Sequence, residues 1–123
     1  MLTYLFVATG GALGSMARFW LAGTVARLTG VGFPWGTILI NIVGSFVIGW
    51  FAGLSMSRNP PSPDMRAFVM AGLCGGFTTF SAFSLQSLEL LREGRFLAAC
   101  ANVGASVLLC VAATAGGLMI GRS

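Results

Sequence analysis

Residues 72–87 read GLCGGFTTFSAFSLQS and lie inside an apolar run from Ala67 to Leu91. As helix, at about 1.5 Å per residue, that run would cover roughly 37 Å, enough to cross a bilayer. Its middle resists continuous helix. Gly75 and Gly76 each cost about 1 kcal/mol relative to Ala, and Thr78 and Thr79 add β-branched stiffness and hydroxyls that compete for backbone groups. Unwound backbone survives at membrane depth only where protein buries it or it borders an aqueous path. The expectation is a third span broken near residues 75–79, with carbonyls freed to bind an ion. Beyond the break, Phe80 and Phe83 stand three apart on one helical face, with Ser81 and Ser84 beside them.

The rest of the chain is built to match. Of its 123 residues 56% are hydrophobic and only 8% charged, which indicates an integral membrane protein rather than a soluble domain. Hydropathy resolves into four spans, about 2–28, 35–56, 67–91 and 96–120, so residues 1–123 form one four-helix transmembrane domain. The connections are the turn-like TGVGFP, the polar and proline-rich SRNPPSPDMR, and a tight REGR turn. The opening MLTYLFVATG lacks the positive start of a secretory signal, so the first span is expected to be retained. All seven basic residues are Arg, scattered singly at span ends, and the net charge of +4 does not form the basic patch that nucleic acid requires. Cys74, Cys100 and Cys110 fall in apolar spans without metal-ligand spacing, which argues against a disulfide framework or a zinc site.

Three spans carry small or polar residues at helical spacing. In the first, Gly10 and Gly14 have the spacing that lets helix backbones approach closely, and Arg18 is followed by further apolar residues. Arg18 either snorkels to an interface or forms an electropositive mouth for an anion. In the second, Thr37, Asn41, Ser45, Gly49 and Gly53 recur every fourth residue, leaving one face small or polar. In the fourth, Asn102, Ser106, Cys110 and Thr114 repeat the same spacing. Such stripes serve either as interhelical glue or as donors along an anion path, where hydroxyl and amide hydrogens replace lost water. Two such faces together with the Phe80/Phe83 pair and the broken span favour the path.

The chemistry that is missing narrows the choice. The first, second and fourth spans have no acidic residue and the third has only Glu89 near its end, which weakens a proton-coupled small multidrug exporter. There is no phosphate-binding loop, and with no His there can be no Ser/His/Asp or Cys/His set, so an enzyme is not expected. A membrane helix bundle that transports nothing is the structural alternative.

Over nearly its whole length the chain resembles the small bacterial fluoride channels, the Fluc or CrcB-like family. The likeness is carried by GGALGSMAR, GTILINIVGSF and GLCGGFTTFSAFS. It implies an all-α fold of four transmembrane helices, the third broken mid-span, paired as an antiparallel homodimer of dual topology in the lipid of the bacterial plasma membrane. It further implies a passive fluoride-selective channel that protects against fluoride toxicity. On that likeness Phe80 and Phe83 offer aromatic contacts to fluoride, Asn41 a pore amide, and Ser106, position 110 and Thr114 a polar track. Thr37, Ser81 and Ser84 join the pore, Arg18 its vestibule, and a central sodium sits at the backbone carbonyls of Gly75 and Thr78. Two positions depart from the family's habit: Cys110 stands where a hydroxyl is common, and Gln86 where an acid is.

Dual topology also has an argument from charge alone. Arg58, Arg66 and Arg122 lie on one side of the four spans and Arg27, Arg92 and Arg95 on the other, with Arg18 inside a span. Orientation follows the Lys/Arg bias of short loops, so an even split predicts insertion both ways.

Overall fold

The computed structural model describes all 123 residues. Four helices are long and apolar enough to cross a membrane: Leu2–Thr29 (α1), Trp35–Ser55 (α2), the composite Pro63–Arg92, and Phe96–Arg122 (α6). This is a multi-pass membrane protein. The composite span comprises α3 (Pro63–Arg66), a π-helical stretch Ala67–Cys74, a last α turn Gly75–Phe77 (α4), and α5 (Phe80–Arg92).

Local chemistry accounts for its ends. Ser62 caps α3 by accepting from the Met65 amide at 3.1 Å, with Pro63 at the first helical position and Asp64 in the first turn. At the other end Gly94 takes φ +77°, which an L side chain would resist. Its amide donates to Leu91 O at 3.0 Å and the Arg95 amide to Leu90 O at 2.9 Å, a Schellman closure that turns the chain into α6.

Glycine lets the helices meet along two seams. In the first, Gly10 of α1 lies against Gly72 and Gly11 against Gly76, while a methyl at Gly14 would run into the Leu73 carbonyl. In the second, α2 crosses α6 through Gly49 and Gly53 against Gly117 and Gly121, where added methyls would strike the backbone of the facing helix. Only 17 of 123 residues are buried, so most apolar side chains point outward from the protomer. Tyr4, Phe19, Leu97 and Leu108 are among them, as lipid contact requires.

The break is present within the expected 75–79 and falls at the two threonines. Gly75 is helical with φ −63° and ψ −40°, whereas Thr78 (φ −84°, ψ 157°) and Thr79 (φ −149°, ψ 113°) are extended. Extended backbone suits β-branched residues, and the Thr79 hydroxyl restarts the helix by accepting from the Ala82 amide at 3.1 Å. Gly76 is needed instead for close approach, because a methyl there would meet the Gly11 carbonyl. Upstream of it, the π-helical Ala67–Cys74 is a widened turn that the hydrophobic spacing did not announce.

Candidate functional site

The site is assembled around this break. The Thr79 amide donates to Asn41 Oδ1 at 2.9 Å, and Asn41 Nδ2 donates back to the Thr79 carbonyl at 3.2 Å. One side chain of α2 therefore replaces the bonds that the unwound residue loses. In a continuous helix the Thr79 amide would serve the Gly75 carbonyl and the Ala82 amide that of Thr78. Here the first is diverted to Asn41 and the second to the Thr79 hydroxyl. The Gly75 and Thr78 carbonyls thus both lose their helical donors. The Thr78 amide and hydroxyl both turn back to the Cys74 carbonyl, at 2.9 and 2.7 Å. Arg18 reaches in from α1, its Nε donating to the Gly76 carbonyl at 3.1 Å. Its half-buried guanidinium is thereby fixed beside the break.

A cavity of about 390 Å³ opens on the face of the break towards α6. Asn41, Ser45, Phe80, Phe83, Ser106 and Cys110 line it, and Gly75 and Thr78 form part of its wall. The rings of Phe80 and Phe83 lie 5.5 Å apart between centroids, tilted by 45°. Phe80 is 78% exposed in the protomer, so its ring is available to something beyond this chain. Chemically the cavity offers an amide, hydroxyls, a thiol and two phenyl rings, and no carboxylate lines it. Those side chains suit a small anion better than a proton relay, whereas the freed carbonyls of Gly75 and Thr78 suit a cation.

The other residues singled out in the sequence lie elsewhere. Thr37 is buried beside a second cavity of about 260 Å³, shared with Gln86 and Glu89. Gln86 Oε1 is buried there without a hydrogen-bond partner. Ser81 and Ser84 are exposed, and the Ser81 hydroxyl lies 3.4 Å from that of Thr79. The Thr114 hydroxyl donates to the Cys110 carbonyl at 2.9 Å and does not line the larger cavity. Two residues take parts in the site that the sequence did not assign to them. Thr79 is both cap and bridge, and Ser87 accepts from the Asn102 amide at 2.9 Å. Each was visible as a hydroxyl, but nothing local shows which partner it meets.

Known proteins resemble this chain over most of its length. The family model described as CrcB-like protein, Camphor Resistance (CrcB), matches residues 5–118. The chain belongs to the CrcB-like family. A relative from Rhodospirillum rubrum named Fluoride-specific ion channel FluC is 56% identical over 112 residues, covering 89% of this chain and 87% of its own. One of the same name from Methylocella silvestris is 53% identical over 112 residues, with 89% and 86% covered. In Geobacter sulfurreducens a further protein so named is 43% identical over 122 residues, with 99% and 98% covered. The match to the CrcB-like family thus reaches into all four spans and includes the break and every seam glycine but Gly121.

Proposed function

We propose that this protein is a fluoride-selective channel of the bacterial plasma membrane that lets fluoride leave the cell passively. The observation that carries the reading is the convergence of Phe80, Phe83 and the Asn41 amide on one cavity at the break. The name shared by the relatives supports it. Fluoride is small and tightly hydrated, so a path through lipid must offer compact donors. Phenyl rings present electropositive edges, and Asn41 keeps a second amide hydrogen beyond the one given to Thr79. The Ser106 hydroxyl and the Cys110 thiol continue the donors along α6, the thiol being the weaker. Arg18, held at the Gly76 carbonyl, contributes a fixed positive charge close to the break. No bond is made or broken, so the protein is not an enzyme. A negative-inside potential drives the anion outward, relieving the fluoride that forms when hydrogen fluoride enters and dissociates.

The working unit in this reading is an antiparallel homodimer. The exposed Phe80 ring and the open space beside Gly75 support it, because both are ready to meet a second copy. The carbonyls of Gly75 and Thr78, released from their helical donors, fit a hard cation such as sodium shared at the two-fold axis. A bound sodium would supply positive charge that offsets backbone dipoles otherwise unsatisfied in the membrane.

Fluoride efflux from liposomes containing the purified protein tests the function. Efflux that develops with a potassium ionophore, persists without a proton gradient and is absent for chloride is the expected result. Efflux that requires a proton gradient would indicate an exporter, and no efflux a bundle that transports nothing.

A further inference from the structure

A second polar assembly lies beyond the rings, and of its members the channel reading uses only Ser106. Asn102 of α6 is fully buried, with 0% of its surface exposed. Its Nδ2 donates to Ser87 Oγ at 2.9 Å, and the Ser87 hydroxyl donates to the Phe83 carbonyl at 2.8 Å. Asn102 Oδ1 accepts from the Ser106 hydroxyl over a long 3.5 Å. The Asn102–Ser87 bond is the one hydrogen bond that joins α5 to α6. It matters because α5 is otherwise loosely seated, with Leu90 its only buried residue. Its N-terminal end starts from the extended Thr78–Thr79 link, which does not transmit the helical phase of α4.

We propose that Ser87 and Asn102 are positioning residues: their bond sets the rotation of α5 about its own axis and so the placement of the Phe80 and Phe83 rings in the fluoride path. This rests on the channel reading above. Ser87 lies four residues after Phe83 and is bonded to that residue's carbonyl, so the clamp acts on the turn that carries the ring. Side chains stand roughly 5–6 Å from a helix axis, so a 10° rotation moves a ring by about 1 Å. Displacements of that size are enough to degrade a site that must hold a small ion.

Three variants and a spectroscopic probe test this. Ser87→Ala removes the clamp but also leaves the buried Asn102 amide short of an acceptor, which lowers stability for a separate reason. Ser87→Ala/Asn102→Leu removes both partners of the clamp and forfeits only the long Ser106 contact besides, so most of the stability should return while the clamp stays absent. Ser87→Thr keeps the hydroxyl. Fluoride efflux should fall about fivefold or more in Ser87→Ala, the scale of one lost hydrogen bond, and stay within about twofold of the parent in Ser87→Thr. In the double variant it should remain as low as in Ser87→Ala although thermal stability recovers, because two changes to one clamp do not add. Parent-like efflux in Ser87→Ala, or efflux that recovers together with stability in the double variant, would overturn the proposal. 4-Fluorophenylalanine at position 83 supplies a readout independent of flux. Its 19F signal should be single in the parent and broadened or split in Ser87→Ala and the double variant; an unchanged signal would also overturn the clamp. If the parent carries no fluoride, the channel reading falls on its own account, and the 19F signal still decides whether the clamp sets the ring.

Discussion

At Phe80 and Phe83 the argument rests on ring edges, which Ile cannot supply at similar volume. Phe80→Ile and Phe83→Ile should each lower fluoride efflux about tenfold or more while the protein stays monodisperse in detergent. Unchanged efflux in both would reassign the rings to packing. Asn41 has two duties, and one substitution separates them. In Asn41→Asp an oxygen can still accept from the Thr79 amide, but the donor to the Thr79 carbonyl is gone and a negative charge faces the cavity. Like charges at 4 Å repel by about 4 kcal/mol at an effective dielectric of 20, so anion flux should drop by at least about a hundredfold. Efflux from liposomes reads this directly, and parent-like flux would remove Asn41 from the path.

Among the helices, small residues decide what can meet. A methyl built on Gly44 would collide with the Thr78 methyl group, so α2 makes room for the extended link. Gly44→Ala should therefore destabilise the fold by about 1–3 kcal/mol, the usual cost of overpacking. Thr78→Ser deletes the offending methyl while keeping the hydroxyl that bonds to the Cys74 carbonyl. Gly44→Ala/Thr78→Ser should accordingly unfold close to the parent in a detergent thermal melt; strictly additive losses would show that the two residues do not share this space. Gly49 allows no such relief, because backbone carbonyl is what a side chain there would strike. Gly49→Val should lose the folded state, whereas Gly23→Val, with open space around it, should be silent in the same melt.

For the whole molecule the question is pairing. Gly75 has nothing within 4 Å of an added methyl in the protomer, so Gly75→Val should leave the single chain folded. If two breaks meet at a two-fold axis, the same change should weaken the dimer, seen as a shift to monomer in mass photometry or cross-linking. A Gly75→Val protein that remains dimeric and active would place the axis elsewhere. Charge provides the other handle. Two or three Lys added to SRNPPSPDMR should fix one orientation and abolish function when that variant is expressed alone. Co-expression with an oppositely biased partner should restore it. Tags on the parent's C-terminus that report a single side of the membrane would contradict dual insertion.

The number of spans, their limits within a few residues, the interruption of the third and the absence of catalytic groups were all legible in the sequence, because they depend on hydropathy and on residue types taken singly. So were the facing glycines as a pattern, since four-residue spacing puts them on one helix face whatever the helix packs against. Tertiary structure alone decided what each residue on those faces meets. Thr37, Asn41, Ser45, Gly49 and Gly53 look equivalent in the sequence, yet Asn41 bridges the break, Gly49 and Gly53 admit α6, and Thr37 borders a different cavity. Likewise, glycine cost and threonine stiffness together confined the interruption to residues 75–79, while only the structure shows that the glycines stay helical and the chain unwinds at Thr78–Thr79. Propensity is a small local term. The Asn41 bonds to Thr79 and the contact of Gly76 with Gly11 come from residues more than thirty positions away, and in a membrane, where no water can satisfy a free amide, such partners determine where a helix may open.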